Sequence, residues 1–338
     1  MVRRQPMVAV LGAGSWGTAV ASIVARSTPT ILWARSPDVA AEINEEHGNS
    51  RYTGDVKLPR RLRATNSLEE AVADADALVL GVPSHGFRAV LTDAAPFVRP
   101  WVPIVSLVKG LEQGTDLRMT EIVGEVLPGS PAGVLAGPNI AREVLDGYAA
   151  AATLAMSDRN LAAQLAELFR TPRFRIYSTT DVVGVEICGP LKNVFAIAAG
   201  MGDGAGAGHN TKAMVISRAV QEMARLGEAI GGEPVTFGGL AGMGDLVVTC
   251  VSPLSRNRRV GEAIGKGLTV REAIESLNQV AEGVKSASVV MELARRADVE
   301  MPIAREVDAV INHGASAFDA YRGLLREAPG HEFDGSGW

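Results

Sequence analysis

The residue whose type and setting most suggest chemistry is Lys192, a lysine inside an otherwise apolar segment that begins at Gly189. A lysine is costly to bury unless it is paired, partly neutralised or needed. Oxidation of a secondary alcohol needs a base near neutral pH, and desolvation together with a nearby cation lowers the pKa of a lysine enough for it to serve. Lys109 is a candidate for that cation. The alternative is a lysine whose ammonium group reaches the helix surface.

A second set of polar residues, Ser255-Arg256-Asn257-Arg258-Arg259, suits the recognition of an anion. Ser255 is predicted to cap the N-terminus of a helix that has Arg256 and Asn257 in its first turn. Basic residues normally favour the opposite end of a helix, so arginines at its start suggest a bound anion that offsets them. A phosphate would accept hydrogen bonds from backbone N–H groups and from the planar guanidinium. An exposed basic turn is the alternative.

Gly12, Gly14 and Gly17 form a GxGxxG motif directly after the apolar run Met7–Leu11 and directly before an amphipathic segment. The first glycine permits a tight turn, the second lets the backbone approach a pyrophosphate, and the third lets the following helix pack closely on the strand. The free N–H groups at the helix start favour phosphates. Because both flanking elements are present, the motif predicts a dinucleotide-binding turn.

Arg35 follows the second apolar run, Thr30–Trp33. A protein specific for NAD would have an acidic residue at the end of this strand, which binds the 2′-hydroxyl of the ribose. A guanidinium there can hold the 2′-phosphate of NADP by charge-assisted hydrogen bonds. We therefore expect NADP to be accepted at least as well as NAD. A solvated loop arginine is the alternative.

The elements that position these residues change in character along the chain. The first half alternates apolar, β-branched runs with longer amphipathic segments, which indicates a parallel sheet covered by helices on both faces, an α/β doubly wound arrangement. The further strands predicted are Ala77–Val82, Ile104–Val108, Val134–Ala136, Ala151–Met156 and Arg173–Tyr177, and the helices Ser15–Ala25, Pro37–Glu46, Ser67–Ala73 and Arg118–Val126.

From about Asp181 onward helical patterns dominate, so the chain is predicted to have an all-helical second domain. The predicted domains are 1–185, which binds the dinucleotide, and 186–328, which binds the substrate, with a flexible tail at 329–338. The glycine-dense stretch Gly200–Gly208 is interpreted as a flexible loop between helices, with a phosphate-binding loop as the alternative. The helices predicted are Leu191–Ala199, Asn210–Leu226, Arg258–Ile264, Val270–Ser276, Lys285–Arg296 and Ile303–Ile311.

Composition narrows the class of protein. The 338 residues are 47% hydrophobic with a formal net charge of −5, so we expect a folded protein that does not bind nucleic acid. Two cysteines, Cys188 and Cys250, suit a reducing compartment and are interpreted as small buried residues. We expect a cytoplasmic protein, since the polar N-terminus is not typical of a secretory signal and no uninterrupted apolar run reaches the roughly 18 residues of a membrane helix. The histidines have no metal-like spacing, so no metal site is predicted.

Several longer motifs resemble the bacterial NAD(P)-dependent glycerol-3-phosphate dehydrogenases, in the order that family has them and from about Val8 to Leu324. They are GAGSWGTA at the start, VKGLE around Lys109, AGPNIARE around Gly137, GPLKNVFAIAAG around Lys192, GLAGMGDLVVTC around Asp245, SRNRRVG around Arg256 and VAEGVKSA around Glu282. The resemblance implies a Rossmann-type domain, an all-helical C-terminal domain and a cleft between them. It also implies hydride transfer between NAD(P)H and dihydroxyacetone phosphate, which gives sn-glycerol 3-phosphate for phospholipid synthesis.

The resemblance implies roles residue by residue. Lys192 is the expected proton acceptor, with Lys109 and Asp245 beside it in the catalytic group. Residues expected to contact the substrate are Lys109, Gly137, Asn139, Lys192, Asn193, Asp245, Thr249, Ser255, Arg256 and Asn257. Residues expected to line the cofactor site, besides the three glycines, are Ser15, Trp16, Arg35, Lys109, Ala141, Arg256, Val280 and Glu282. A homodimer without membrane insertion is also implied.

Two positions depart from the family pattern. Asn139 stands where the family usually has Ser or Thr, and His209 replaces a residue that is commonly small or acidic. Two alternative functions are also compatible with a dinucleotide-binding domain. One is a dehydrogenase that acts on a 3-hydroxy acid or on a nucleotide sugar, and oxidation of a nucleotide sugar to an acid needs a thiol nucleophile. The other is a nucleotide-sensing or scaffold protein, which would have no use for Lys192.

Overall fold

A computed structural model of the chain describes residues 5–277 and 281–320. The chain folds into two compact units, one made of residues up to 108 together with 117–182, the other of residues 109–116 together with those from 183 onward. The short segment that begins at Lys109 thus belongs with the helical second unit, although it directly follows a strand of the first. The predicted tail at 329–338 lies outside the described residues.

Unit 1 is built on an eight-stranded sheet in the order β3-β2-β1-β4-β5-β6-β7-β8. All neighbouring strands are parallel except β6 and β7, which pair antiparallel. The strands are Val8–Leu11 (β1), Thr30–Trp33 (β2), Arg63–Thr65 (β3), Ala77–Leu80 (β4), Ile104–Ser106 (β5), Ala132–Ala136 (β6), Ala150–Met156 (β7) and Phe174–Thr179 (β8). The α/β doubly wound prediction is confirmed.

Helices cover both faces of this sheet. Along β1 the side chains of Val8 and Val10 enter one buried apolar cluster and those of Ala9 and Leu11 enter another, because successive strand residues point to opposite faces. Burial on both faces explains why the inner strands are apolar throughout. The helices of unit 1 are Ser15–Val24 (α1), Pro37–Glu46 (α2), Ser50–Thr53 (α3), Leu68–Val72 (α4), Phe87–Ala94 (α5), Met119–Val126 (α6), Ala141–Leu145 (α7) and Arg159–Phe169 (α8).

Unit 2 is helical among its described residues. Its helices are Val182–Gly204 (α9), His209–Ala229 (α10), Pro234–Phe237 (α11), Asp245–Val251 (α12), Arg256–Gly265 (α13), Val270–Glu275 (α14), Glu282–Arg296 (α15) and Pro302–His313 (α16), with a π-helical turn at Leu240–Gly244 before α12. Helix α9 is buried along most of its length. It begins well before Leu191, the predicted start, and contains Pro190 in its interior.

The interpretation of Gly200–Gly208 as a loop is wrong for its first half, because α9 continues to Gly204. Gly200 and Gly204 of this stretch, together with Gly261 on the facing helix, let α9 and α13 approach closely. A Cβ atom added at Gly200 would lie 2.0 Å from the carbonyl oxygen of Arg258, and one added at Gly261 would lie 2.1 Å from that of Ile197. The glycines therefore serve helix packing.

Two stretches within the described residues are long and apolar enough to cross a membrane by length and composition alone, Val182–Gly204 and Pro234–Val251. The most apolar window of the first is 89% buried within the fold, as expected for a core helix, and that of the second is 39% buried. The second stretch is also not one regular helix, since a π-helical turn lies between α11 and α12.

Candidate active site

One face of α9 is directed at Lys109. Gly189, Lys192 and Asn193 lie on this face because residues three and four apart share one side of a helix. A Cβ atom at Gly189 would be 2.9 Å from the Cα atom of Lys109, so only glycine allows this approach. One turn further on, the Asn193 side-chain amide donates to the Lys109 carbonyl oxygen at 3.0 Å. The Lys109 backbone is thereby held against α9 at two points.

The Lys192 ammonium is buried and its acceptors are close. Its Nζ lies 2.9 Å from Oδ1 of Asp245 and 2.7 Å from Oγ1 of Thr249. The Thr249 hydroxyl in turn donates to the Asp245 backbone carbonyl at 2.6 Å. Asp245 and Thr249 are one turn apart on α12, which begins where the π-helical turn ends. Such turns are common at functional sites, and this one delivers Asp245 to the start of α12.

Asp245 joins the two lysines. Its second carboxylate oxygen, Oδ2, forms an ion pair with Lys109 Nζ at 2.6 Å. The side chains of Asp245, Lys192 and Lys109 are 2%, 7% and 18% exposed. The pKa of Lys192 is lowered to about 8, mainly by burial; Asp245 opposes this shift and Lys109 adds to it. The expected pairing of a desolvated lysine with the Lys109 cation is present in unit 2, and Lys192 does not reach the surface.

The helix of the predicted anion site starts at the predicted residue. The Ser255 hydroxyl accepts from the backbone N–H of Arg258 at 3.3 Å, so Ser255 is the N-cap of α13. The Arg256 side chain is exposed and makes no ion pair with a described residue, although the carboxylate of Glu282 influences it electrostatically. Arg258 is instead occupied by Asp203, 2.7 Å away. A guanidinium at a helix N-terminus that no described carboxylate holds suits an incoming anion.

Asn257 is more enclosed than a simple substrate ligand. Its side chain is buried, donates to Oδ1 of Asn193 at 2.9 Å and accepts from the backbone N–H of Gly283 at 3.0 Å. The six predicted residues Lys109, Lys192, Asn193, Asp245, Thr249 and Asn257 are thus linked by hydrogen bonds within unit 2.

The glycine turn of unit 1 has the geometry that a dinucleotide needs. Gly12 has a φ of +115°, and a Cβ atom at Gly17 would lie 1.9 Å from the Gly12 carbonyl oxygen. A Cβ atom at Gly14 would meet nothing within 4 Å, so the space in front of this glycine is open. Gly14 is also the N-cap of α1 and makes no side-chain cap. The turn therefore fits a pyrophosphate at the helix N-terminus.

The side chains of Ser15 and Trp16 are turned toward the protein. The Ser15 hydroxyl donates to the carbonyl oxygen of Tyr52 at 2.8 Å. The Trp16 ring packs edge-on against Phe174, with centroids 6.1 Å apart. Arg35 is exposed directly beyond the end of β2, as the sequence predicts. At these positions a cofactor would meet the Ser15 and Trp16 backbone and the Arg35 guanidinium.

The other predicted residues of unit 1 follow β6. Gly137 has a φ of +149°, and a Cβ atom there would lie 2.9 Å from the Cα atom of Ala152. The Asn139 amide faces the carbonyl oxygens of Pro138 and Ala151, and with its nitrogen turned toward them it donates to both, at 3.1 and 3.2 Å. In that orientation this departure from the family pattern supports local backbone. Ala141 is the first residue of α7. In unit 2, Glu282 opens α15 and His209 opens α10, whereas Val280 lies outside the described residues.

Sequence reasoning missed Asn49. This fully buried residue donates from Nδ2 to the Ala13 carbonyl oxygen and to the Thr18 hydroxyl, both at 2.9 Å, and so ties the α2–α3 connection to the glycine turn. No local pattern marks it, since an asparagine in a polar loop is common and its partners lie more than thirty positions away.

The chemistry of the remaining side chains is limited. Both cysteines are buried, and burial raises the pKa of the Cys250 thiol to about 12. Cys250 is therefore unsuited to the thiolate nucleophile that oxidation of a nucleotide sugar to an acid would need. Within residues 5–277 and 281–320, no group of three or more His, Cys, Asp or Glu side chains is placed to hold a metal ion.

A parallel sheet with an open glycine turn, in a chain that also carries a buried lysine with a depressed pKa, defines the class of dinucleotide-dependent oxidoreductases. Two family models then match: the NAD-dependent glycerol-3-phosphate dehydrogenase N-terminus over residues 7–162 and the corresponding C-terminus over residues 181–322. The chain belongs to this family.

Individual relatives agree with the family models. A Mycobacterium avium (strain 104) protein named glycerol-3-phosphate dehydrogenase (NAD(P)+) is 64% identical, over 99% of this chain and 98% of the relative. A Mycobacterium tuberculosis (strain H37Rv) protein of the same name, numbered 1, is 62% identical over 99% of each chain. The crystal structure of glycerol-3-phosphate dehydrogenase from Coxiella burnetii has a TM-score of 0.91 and 36% identity, and the match covers 96% of this chain and 99% of that chain.

Proposed function

We propose that this chain interconverts sn-glycerol 3-phosphate and dihydroxyacetone phosphate, with NADP or NAD as the hydride carrier. The observation that carries this proposal is the buried Lys192 amine, held by Asp245 and Thr249, in a family whose relatives are named for this reaction. A scaffold or sensor has no need of a desolvated lysine whose pKa is about 8.

Lys192 is assigned the proton transfer. In the reducing direction its ammonium donates a proton to the carbonyl oxygen at C2 of dihydroxyacetone phosphate, and in the oxidising direction its neutral amine takes the hydroxyl proton from sn-glycerol 3-phosphate. When bound, the nicotinamide supplies or accepts the hydride at C2. A pKa of about 8 leaves most of the amine protonated at neutral pH, which is the form that donates the proton in the reducing direction.

Asp245 and Lys109 prepare the surroundings of that proton. Asp245 and Thr249 fix the direction of the Lys192 Nζ through contacts of 2.9 and 2.7 Å. Lys109 contributes a second positive charge, 2.6 Å from the same carboxylate, which stabilises negative charge that develops on the substrate oxygen. Arg256 and the N-terminus of α13, capped by Ser255, are assigned the substrate phosphate.

The experiment that tests this function follows NADPH absorbance after dihydroxyacetone phosphate is added to the purified chain. Turnover with dihydroxyacetone phosphate, and at least 10²-fold weaker turnover with dihydroxyacetone, is expected if a charged phosphate contact is lost with the smaller substrate. Equal rates with both substrates would exclude the phosphate site, and no turnover of either would exclude the reaction. A panel of 2- and 3-hydroxy acids serves as the control for other dehydrogenase activities.

The cellular setting is also a proposal. By its family resemblance, the chain acts in the cytoplasm as a homodimer, without membrane insertion, and supplies sn-glycerol 3-phosphate for phospholipid synthesis. The burial of α9 within the fold supports a core role for the more hydrophobic of the two apolar stretches. Sedimentation analysis should give twice the mass of one chain; a single-chain mass at micromolar concentration would contradict the dimer.

A further inference from the structure

We propose that Asn257 is a positioning residue, which acts through Asn193 to fix the Lys109 backbone to the N-terminus of α15. This inference rests on the proposed function, because its consequence is read in the same reaction. The family resemblance implies only a substrate contact for Asn257, and the structure assigns its amide group to a different task.

Three hydrogen bonds form the relay. The backbone N–H of Gly283 donates to Oδ1 of Asn257 at 3.0 Å, and Nδ2 of Asn257 donates to Oδ1 of Asn193 at 2.9 Å. Nδ2 of Asn193 then donates to the carbonyl oxygen of Lys109 at 3.0 Å. Both asparagine side chains are buried, 5% and 7% exposed, so water does not compete freely for these groups.

The two ends of the relay fix its direction. A backbone N–H can only donate and a backbone carbonyl can only accept, so Gly283 and Lys109 leave one orientation for each amide. If either amide were rotated by 180°, its nitrogen would face another nitrogen on one side and its oxygen would face another oxygen on the other side. Unlike most asparagine amides, these two therefore have an orientation that their partners determine.

The segments that the relay joins both bear on the site. Lys109 carries the ammonium that lies 2.6 Å from Oδ2 of Asp245. Gly283 follows Glu282, whose carboxylate acts electrostatically on Arg256. The packing is tight at this end as well, since a Cβ atom at Gly283 would lie 2.5 Å from the carbonyl oxygen of Asn193. The start of α15 and the loop at Lys109 are thus held at a fixed spacing across α9 and α13.

Loss of the relay has a consequence that can be measured in Lys192. The positive charge of Lys109 lowers the pKa of Lys192. Lys109 also pairs with the carboxylate of Asp245, which otherwise raises the pKa of Lys192. If the Lys109 backbone is released, its ammonium moves away from Asp245, and both effects raise the pKa of Lys192. Substitution of a residue that only contacts the substrate phosphate would change KM and leave the pKa of Lys192 unchanged.

The test is Asn257→Ser, because a serine hydroxyl lies about where the amide carbon was and is too short to bridge Gly283 and Asn193. We expect kcat to fall about 10- to 10²-fold, the scale of a reacting group displaced by about 1 Å. The apparent pKa of the oxidation rate, kcat/KM against pH, should rise by roughly 0.5–1 unit. A rise in KM with an unchanged pH profile would overturn the proposal and favour a direct substrate contact.

Further variants separate positioning from general damage. Val260→Ala removes a buried side chain on the same helix and should lower thermal stability without shifting the pH profile. Lys109→Met should by itself raise the apparent pKa, and adding Asn257→Ser to it should give no further shift, because Asn257 acts through Lys109. Additive shifts in the double variant would refute that route. Asn257→Ala provides the same readouts if the serine variant does not fold.

Failure of the inference is distinguishable from failure of the proposed function. If the unmodified enzyme does not reduce dihydroxyacetone phosphate, the proposed function is wrong. If it does, and Asn257→Ser keeps both kcat and the pH profile of the unmodified enzyme, only the relay is wrong.

Discussion

Lys192 Nζ and Oδ1 of Asp245 lie 2.9 Å apart, and Oδ2 of the same carboxylate lies 2.6 Å from Lys109 Nζ. One carboxylate is thus shared between two ammonium groups. When both lysines are protonated, the cluster keeps one uncompensated positive charge in largely buried surroundings. Such a charge is costly to the fold, and it suits a reaction in which an alkoxide-like oxygen develops.

Thr249 is expected to hold the Lys192 amine in its working direction. Thr249→Val keeps the shape but removes the acceptor 2.7 Å from Nζ, so we expect kcat to fall about 10-fold, the scale of one buried hydrogen bond. Thr249→Ser retains the hydroxyl and is the matched control. Steady-state kinetics of dihydroxyacetone phosphate reduction would measure both, and a valine variant as active as the serine variant would exclude this role.

Arg256 is expected to bind the substrate phosphate. Arg256→Ala should lower kcat/KM for dihydroxyacetone phosphate by roughly 10- to 150-fold, equivalent to about 1.5–3 kcal/mol for a charged hydrogen bond. Arg259→Ala, which removes an exposed guanidinium from the same helix, should have little effect. Equal losses of kcat/KM in the two variants would show that substrate binding depends only on the total positive charge near the site, and not on a direct contact with Arg256.

The glycine turn separates folding from cofactor binding in a matched pair of variants. Gly14→Ala adds a methyl group to open space, so the fold should persist while NADPH affinity falls at least 10-fold because the group blocks the pyrophosphate approach. Gly17→Ala places a Cβ atom 1.9 Å from the Gly12 carbonyl oxygen and should destabilise the fold itself. Thermal unfolding and NADPH titration distinguish the two effects. Normal NADPH affinity in Gly14→Ala would argue against the assigned turn.

Arg35 is expected to read the 2′-phosphate of NADP. Arg35→Ala should lower kcat/KM for NADPH about 10-fold or more and leave that for NADH nearly unchanged, since only NADPH carries the phosphate. The ratio of the two values is the measurement. A ratio that does not change would assign Arg35 to the solvated loop.

Sequence patterns predicted the fold where the signals are local. The inner strands and the glycine turn follow from apolar runs and from GxGxxG, and the cap at Ser255 is confirmed. Strand β3 was not predicted, because three residues with an exposed arginine carry little periodicity. Helices α5 and α8 were also missed. Both are amphipathic and have local end signals, Gly86 directly before α5 and the Asp158 cap of α8, so their sequences do indicate them.

The site was harder to predict because its connections are long-range. Asn193 and Asn257 are 64 positions apart, and no local pattern indicates that their amides meet. Asp245 follows a glycine-rich stretch that reads as a loop, and only the π-helical turn shows how it is delivered to Lys192. Lys109 follows β5, so its membership in unit 2 depends on tertiary packing that strand periodicity does not contain.

The most direct test of the account is the pH dependence of sn-glycerol 3-phosphate oxidation by the unmodified enzyme and by Lys192→Ala. A base must be unprotonated to act, so kcat/KM should rise with pH and level off above an apparent pKa of about 8, while dihydroxyacetone phosphate reduction should fall over the same range. Lys192→Ala should lose roughly 10²- to 10⁴-fold in kcat together with that ionisation. A variant that keeps both the rate and the ionisation would contradict the assignment of Lys192 as the proton acceptor.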